Sequence, residues 1–246
     1  MTSQTFKPCC VTGFQWDGTP EGREETLNGL PTYVTGNNPE KAVLYVHDAV
    51  GWKWKNARLL ADCYAREANV TVFIPDFFGG EQLELAPILE GRWHDLDMAG
   101  FSARNARPIR EPQIFACART LRTQGYKSLG SIGFCFGGWA VLRLAQARLV
   151  DAIVCAHPSW VTSEDFEGLG TPTLFLAPEI DPMFPDEMKA HAFSCLVKEK
   201  ETPFEWVHFP GLTHGCLTKG DEKTEGEREG MVKAKAAAVR WWGEWL

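Results

Sequence analysis

The chain has 246 residues, of which 44% are hydrophobic and 23% are charged, and it carries a formal net charge of −7. These shares are ordinary for a globular protein, and they exclude a disordered, collagen-like or coiled-coil chain. Because no segment concentrates lysine and arginine and no apolar run approaches the length of a membrane-spanning helix, we expect neither a nucleic-acid nor a membrane partner.

Residues 8–31 are rich in glycine, proline, threonine and charged residues, a composition that predicts loops with short edge strands. From residue 41 onward, short apolar runs typical of buried strands alternate with segments of helical apolar spacing. The predicted strands are 41–48, 69–76, 128–134, 152–158, 171–178 and 202–211. The predicted helices are 53–68, 136–150, 186–198 and 228–246. The fold class is therefore α/β, with a mainly parallel sheet that helices cover on both faces.

Residues 79–110 interrupt this alternation with weaker periodicity, two prolines and many charges, as an inserted helix and loop over the sheet edge would. The sheet pattern itself spans about 41–209. We find no linker and no internal repeat, so residues 1–246 are expected to form a single domain. The eight cysteines are scattered and form no C-x-x-C pattern, which predicts reduced thiols without a disulfide framework or a zinc site.

The sequence GFCFGG (residues 133–138) lies where a predicted strand turns into a helix. It matches the G-x-S-x-G pattern of a nucleophile on a tight strand-to-helix turn, with cysteine in place of serine. Glycines two residues to either side are needed because neighbouring chain passes too close for side chains. A helix N-terminus also stabilises a thiolate. We therefore predict that Cys135 is a nucleophile, and the alternative is a small buried thiol of the core.

A cysteine nucleophile needs a base, and the base needs a carboxylate that orients it. In this architecture the carboxylate and then the histidine follow the nucleophile, each on a loop after a later strand. Asp181 and His214 meet both conditions, and Asp186 in the following helix is the second choice for the acid. The remaining histidines are expected to be structural or exposed: His47, His94, His157, His191 and His208.

Acyl transfer also requires N–H donors for the negative charge that develops on the substrate oxygen. The N–H of Phe136 directly follows the nucleophile, and the loop after the first parallel strand supplies the second donor, which we assign to Ala49. Asp48 in the same loop is expected to lie near enough to Cys135 to contact it. The alternative is that residues 47–51 form only a polar loop between a strand and a helix.

Several short motifs, in order along nearly the whole chain, resemble those of one family. They are Cys9-Cys10, GTPEG (18–22), HDAVGW (47–52), IPDFFGGE (74–81), GFCFGGW (133–139), AHPSW (156–160), EIDPMFPDE (179–187) and FPGLTHGCLTKGD (209–221). With these motifs the chain resembles a dienelactone hydrolase of the type common in fungi. The resemblance implies an α/β-hydrolase fold with a catalytic triad and oxyanion donors, which fall on Cys135, Asp181, His214, Phe136 and Ala49.

The same resemblance exposes departures near the site. Lys219 stands where relatives often carry arginine, and Cys216 stands where they often carry phenylalanine. Lysine is a point charge, so it lacks the planar two-point grip of arginine on a carboxylate. In the best-studied members an acidic side chain at the position of Asp48 contacts the resting thiol, and here that side chain is Asp rather than Glu.

Ligands of open α/β sheets bind at the carboxyl ends of the strands, where we expect several aromatic side chains of this chain. Their rings would form apolar walls for an aryl or bicyclic lactone, and ordinary core packing is the alternative for each of them. Lys219 and Arg92 could hold a substrate carboxylate. The expected substrate-binding residues are Asp48, Trp52, Phe78, Arg92, Trp139, Trp160 and Lys219, with Trp54 as a further wall candidate.

The predicted function is hydrolysis of lactones or small esters through an acyl-enzyme on Cys135, without a metal or cofactor. One alternative is an isomerase or cyclase of a biosynthetic pathway that uses the same pocket. Another is a non-catalytic ligand-binding protein on this fold. The expected partner is a small-molecule lactone or ester, the expected state is a monomer or homodimer, and a cytoplasmic location is expected because the N-terminus lacks the apolar core of a signal peptide.

Overall fold

A computed structural model of the protein describes residues 4–10 and 13–246, in which eight strands form one sheet. The strands are β1 (Arg23–Leu27), β2 (Leu30–Thr35), β3 (Lys41–Val46), β4 (Thr71–Pro75), β5 (Ser128–Phe134), β6 (Ala152–Ala156), β7 (Thr173–Ile180) and β8 (Phe204–Thr213). Their order in the sheet is β1-β2-β4-β3-β5-β6-β7-β8. The six strands from β3 to β8 pair in parallel, whereas β1 and β2 are antiparallel at one edge.

The α/β fold class and the six predicted parallel strands are confirmed. The short edge strands expected within residues 8–31 are confirmed in β1, whereas the predicted start of the sheet pattern at residue 41 is wrong, because β1 and β2 extend the sheet toward the N-terminus. These two strands form a hairpin on the edge, and most of β1 is exposed on both faces. A strand without a buried face shows no alternation of apolar and polar residues, so its sequence carries little strand signal.

Eight helices accompany the sheet in the described part of the chain. They are α1 (Lys55–Glu67), α2 (Leu85–Leu89), α3 (Met98–Arg104), α4 (Arg107–Thr123), α5 (Phe136–Gln146), α6 (Asp186–Lys198), α7 (Cys216–Lys219) and α8 (Glu225–Trp245). Helices α1 and α8 pack on each other and on the sheet. Helices α4 and α5 also pack on each other and on the sheet. The four predicted helices are confirmed, with ends that differ by a few residues.

The parallel strands position the functional loops because their carboxyl ends all lie at one edge of the sheet. The strands from β3 to β7 are almost wholly buried, so this edge stands on a packed apolar core. The residues that follow β3, β5, β6, β7 and β8 at this edge include Asp48, Cys135, Ser159, Asp181 and His214. None of the described helices is both long and apolar enough to cross a bilayer.

Candidate active site

Cys135 occupies the turn between β5 and α5 in a conformation that L-residues rarely adopt, with φ 51° and ψ −107°. The turn is tight because the strand before it and the helix after it pack closely. A Cβ on Gly133 would collide with the carbonyl oxygen of Gly137, and a Cβ on Gly137 would collide with that of Val46. The Cys135 N–H donates to the Ala156 carbonyl at 3.1 Å, which ties the turn to β6. The sheet therefore holds the thiol at the N-terminus of α5.

Asp181 and His214 directly follow β7 and β8, and their side chains are fully buried. His214 Nδ1 lies 2.8 Å from Asp181 Oδ1. The same carboxylate oxygen accepts hydrogen bonds from the backbone N–H groups of Met183 and Phe184, at 2.9 and 3.0 Å. Because a carboxylate only accepts, it holds the proton on Nδ1 and leaves Nε2 as the reactive nitrogen.

Asp186, the second choice for the acid, does not take part in this contact. Its side chain is 92% exposed at the start of α6, where it forms an ion pair with Lys189. Asp181 is therefore the carboxylate that orients His214 in the structure.

Cys135 and His214 are brought together with a third polar side chain that the sequence analysis did not select. The Cys135 sulfur and a ring nitrogen of His214 lie within 4.8 Å of each other. The Ser159 hydroxyl contacts both side chains, at 3.2 Å from Cys135 Sγ and 3.5 Å from His214 Nε2. The Ser159 N–H also donates to the Cys135 carbonyl at 2.8 Å. The signal that could have found Ser159 is its place in AHPSW, just after β6 ends.

The charges around Cys135 favour its thiolate. Burial raises the pKa of this thiol, but a hydrogen bond from Cys10 and the positive charges of His214 and Lys219 hold it well below its usual range. Burial lowers the pKa of His214, whereas the Cys135 and Asp181 charges raise it to about 10. Both shifts favour a thiolate on Cys135 beside an imidazolium on His214.

Cys10 is a second thiol inside the site, and no role was predicted for it. It ends a short 3₁₀ turn (Pro8–Cys10), is fully buried, and places its sulfur 3.9 Å from His214 Nε2. Within residues 4–10 and 13–246, Cys10, Cys135 and His214 form the one histidine, cysteine or carboxylate group close enough to share a metal ion, with ligand atoms within 4.8 Å. All eight cysteines of the chain are free thiols.

Asp48 and Lys219 form a buried ion pair next to Cys135. Lys219 Nζ lies 3.2 Å from Asp48 Oδ2, and the Thr218 hydroxyl donates to the same oxygen at 3.0 Å. The other carboxylate oxygen accepts from the Val50 N–H at 2.9 Å. Burial lowers the pKa of Lys219, but the charges of Asp48 and Cys135, with the other neighbours, together outweigh burial and raise this pKa above its usual value. Both oxygens of Asp48 thus have other partners, and no hydrogen bond joins Asp48 to Cys135 among the described residues. The Cys135 sulfur contacts the Ser159 hydroxyl instead.

The two predicted oxyanion donors lie at this edge of the sheet. Phe136 is the first residue of α5, and Ala49 lies in the loop between β3 and α1. Both residues are fully buried. Neither N–H donates a hydrogen bond to another residue in the part of the chain that the structure describes.

The predicted aromatic residues are buried around Phe136. The rings of Phe78, Trp139 and Trp160 meet the Phe136 ring edge-on, with centroids 5.0 to 5.6 Å apart. Trp160 also packs on Phe6 at 4.4 Å. These contacts form an aromatic cluster directly beside Cys135.

The other predicted binding residues make different contacts. Trp52 is covered by the Arg58 guanidinium at 4.9 Å, and Trp54 is fully buried with its indole N–H directed at the Thr218 carbonyl. Arg92 is 44% exposed and forms ion pairs with Glu90 and Asp95 of its own loop. Its positive charge is thus already paired on the surface.

Residues 4–10, which we call the strap, cover the site and leave a cavity on either side. One cavity, of about 300 Å³, is lined by Cys9, His214 and Lys219 among others. The second, of about 430 Å³, is lined by Gln4 and Lys7 of the strap together with Trp160, Pro182 and their neighbours. Cys135 has no exposed surface beneath the strap. The strap must therefore shift before a substrate larger than a few atoms can reach the thiol.

Two of the remaining histidines are buried close to the site. The Phe77 N–H donates to His47 Nε2 at 3.2 Å, so His47 Nδ1 donates to the Asp48 carbonyl at 2.9 Å. His157 packs on the His214 ring at 4.9 Å, and burial holds its pKa well below the usual range. Both ring nitrogens of His157 have no hydrogen-bond partner among the described residues.

The model of the family described as "Dienelactone hydrolase family" matches residues 29–246. The chain belongs to the dienelactone hydrolase family. Among curated proteins, it is 29% identical to "Hydrolase tropI" of Talaromyces stipitatus, over 100% of this chain and 99% of that protein. It is also 29% identical to the "Carboxymethylenebutenolidase homolog" of Mus musculus, over 97% of this chain and 98% of that protein.

Solved structures of dienelactone hydrolases share the fold. The dienelactone hydrolase from Anabaena variabilis superposes with a TM-score of 0.65 at 15% identity, covering 92% of this chain and 97% of that one. A dienelactone hydrolase-like phosphotriesterase from metagenomic libraries superposes with a TM-score of 0.62 at 18% identity, covering 92% and 97%. At these identities the likeness shows only the fold, which is the α/β-hydrolase fold that the sequence predicts.

Proposed function

We propose that this member of the dienelactone hydrolase family opens lactones or small esters through a thioester on Cys135. The observation that carries the proposal is the arrangement of the thiol at the strained turn before α5, within 4.8 Å of a histidine that Asp181 orients at 2.8 Å. A nucleophile, a base and a carboxylate in that order are the parts that acyl transfer requires. The matches to proteins named as hydrolases support the same class of reaction.

In the acylation step the Cys135 thiolate attacks the carbonyl carbon of the substrate. The carbonyl oxygen becomes negatively charged and accepts hydrogen bonds from the Phe136 and Ala49 N–H groups, each of which contributes about 3 to 4 kcal/mol in comparable sites. The carbon–oxygen bond of the ester then breaks as the tetrahedral intermediate collapses. His214 gives its proton to the leaving alkoxide, which in a lactone remains attached to the acyl group.

Deacylation uses the same residues in the opposite direction. Neutral His214 takes a proton from water, and the resulting hydroxide attacks the thioester carbonyl. The carbon–sulfur bond breaks, the acid product leaves, and the thiolate beside the imidazolium is restored. Asp181 keeps the His214 ring in the orientation that both steps need.

An aromatic lactone or ester is the substrate class that the surroundings of Cys135 favour. The face of Trp160 that Phe6 covers lies in the aromatic cluster beside the nucleophile. If the strap shifts, a flat ring of the substrate can take the place of the Phe6 ring on Trp160. Lys219 is a buried cation at the site, but its charge is balanced by Asp48, so a second carboxylate on the substrate gains little from it.

This substrate preference predicts a higher kcat/KM for aryl or bicyclic lactones and aryl esters than for dienelactone. The measurement is a side-by-side kinetic comparison of wild type, Lys219→Met and the charge-preserving control Lys219→Arg. A strong preference for dienelactone that disappears in Lys219→Met and survives in Lys219→Arg would contradict the prediction.

Mass spectrometry of products from a panel of lactones tests the reaction class itself. A hydrolase adds the mass of one water to the product. An isomerase or cyclase changes the structure of the product without changing its mass. Saturable binding without turnover would identify a ligand-binding protein, and either of the last two results would overturn the proposed hydrolysis.

A further inference from the structure

Cys10 has no part in the proposed hydrolysis, although its sulfur lies beside both reacting side chains. The sulfur atoms of Cys10 and Cys135 and a ring nitrogen of His214 are mutually within 4.8 Å, and all three residues are buried. A thiol close to a thiolate nucleophile is the arrangement found in proteins in which one cysteine is oxidised and a second one resolves it.

We propose that Cys10 is a resolving thiol: after a peroxide oxidises Cys135, Cys10 forms a disulfide with it, which inactivates the site reversibly. The proposal rests on the proposed function, in which Cys135 is the nucleophilic thiolate. It goes beyond that function because the Cys10 side chain becomes a site of chemical modification.

The first step consumes one molecule of hydrogen peroxide, a two-electron oxidant. The Cys135 thiolate attacks one peroxide oxygen, the O–O bond breaks, and Cys135 becomes a sulfenic acid. The departing hydroxide takes the proton of the His214 imidazolium and leaves as water. His214 is now neutral, and it is 3.9 Å from the Cys10 sulfur.

In the second step neutral His214 takes the Cys10 proton, and the Cys10 thiolate attacks the Cys135 sulfur. The S–O bond breaks, and the hydroxide that departs takes the proton back from His214 and leaves as the second water. Two thiols and one peroxide thus give one disulfide and two waters. In the resting state, hydrogen bonds to Cys135 and Cys9 keep the pKa of Cys10 well above its usual range, so this thiol stays protonated until Cys135 has lost its charge.

The position of Cys10 in the fold allows the bond to form. A disulfide needs the two sulfurs about 2.05 Å apart, so the gap must close by a few ångströms. Cys10 lies in the strap, which belongs to no strand of the sheet, whereas Cys135 is held by β5 and α5. The approach is therefore made by the strap. Peroxide is hardly larger than water, and the cavity of about 300 Å³ that Cys9 and His214 line brings it to His214, one member of the cluster.

Titration with hydrogen peroxide tests the proposal in wild type, Cys10→Ser, Cys9→Ser and Cys63→Ser, with EDTA in every buffer. In wild type, Cys9→Ser and Cys63→Ser we expect non-reducing peptide mapping to detect a disulfide between Cys10 and Cys135. Turnover should be lost with the disulfide and should return when dithiothreitol reduces it. In Cys10→Ser we expect Cys135 to be oxidised further, to the sulfinic acid, and the turnover lost in this way should not return with dithiothreitol. Mapping of wild type alone tests the bond if a variant fails to fold.

Three results would overturn the proposal: sulfinic acid forming on Cys135 equally fast with and without Cys10, a disulfide that joins Cys9 to Cys10 while Cys135 stays unmodified, or a disulfide that Cys135 makes with another cysteine. Its failure is distinguishable from failure of the proposed function. The disulfide is detected by mass without any substrate. Hydrolysis through Cys135 is measured on the reduced enzyme without any peroxide.

Discussion

The loops that carry Cys135, Asp181 and His214 are held very differently from the strap that covers them. Each loop directly follows a parallel strand of the sheet, and backbone hydrogen bonds such as that from the His214 N–H to the Ile180 carbonyl, at 3.0 Å, tie it to its neighbour. The strap forms only one short 3₁₀ turn. The difference separates two properties of the site, since the sheet determines the reacting geometry and the strap determines access to it.

The strap is held by side chains rather than by the sheet. The Phe6 N–H donates to the Ser102 hydroxyl at 3.1 Å, and Lys7 Nζ donates to the Pro182 carbonyl at 3.1 Å. The Phe6 ring packs on Trp160 and Phe101. Contacts of this kind can be lost a few at a time, so a change in the strap should alter access while it leaves the reacting groups in place.

The largest effect is expected from removal of the nucleophile. Cys135→Ala should lower kcat by about 10⁴-fold or more, because triad members act as a unit and their loss removes the covalent route. Steady-state kinetics with an aryl ester measures the change, with Cys63→Ala as the control for a half-buried thiol away from the site. Activity that survives in Cys135→Ala would place the nucleophile elsewhere.

A smaller loss is expected when the orienting carboxylate becomes an amide. Asp181→Asn should lower kcat by about 10²-fold, less than the roughly 10⁴-fold that the same change costs a serine triad, because a thiol ionises more easily than a hydroxyl. The matched control is Asp186→Asn, which changes an exposed carboxylate and should leave kcat unaltered. If Asp186→Asn is the more damaging substitution, the assignment of the acid is wrong.

Ser159 offers a finer test of the reacting geometry. A hydrogen bond to a charged group contributes about 1.5 to 3 kcal/mol, so Ser159→Ala should raise the pKa of Cys135 by about one to two units. The pH dependence of iodoacetamide alkylation at Cys135 measures this pKa, and the profile should move to higher pH. Ser159→Thr keeps the hydroxyl and should restore most of the wild-type profile. An unchanged profile in Ser159→Ala would contradict a hydroxyl contact with the thiolate.

The smallest effect is expected from the strap. Phe6→Ala should speed alkylation of Cys135 by a bulky maleimide several-fold, because it removes the ring that packs on Trp160 and makes local opening easier. Alkylation by iodoacetamide, a smaller reagent, should change less. Equal acceleration by both reagents would indicate a change in the thiol rather than in access to it.

The sequence predicted the framework of the site because its signals are local. Glycines around Cys135 and the position of Asp181 and His214 after successive strands follow from the needs of a tight turn and a parallel sheet. Helix α4 was missed because two of its first six residues are prolines, Pro108 and Pro112, and prolines are typical of loops. Pro108 lies in the first helical turn, where a proline has no backbone hydrogen bond to lose.

The contacts between distant segments could not be predicted in the same way. Cys10 reaches His214 across 204 residues, and Lys219 meets Asp48 across 171. Neither contact leaves a periodic pattern, because each depends on how the strap and α7 pack onto the finished sheet. Ser159 was overlooked for a related reason, since its hydroxyl acquires a role only once β5, β6 and β8 bring three loops to one edge.

The most direct test of the central claim is peptide mapping of the protein quenched in acid during turnover of an aryl ester. The account predicts an acyl group on the peptide that contains Cys135, and its disappearance in Cys135→Ala. An acyl group on Ser159 or Cys10, or full turnover without any acyl-protein, would contradict it.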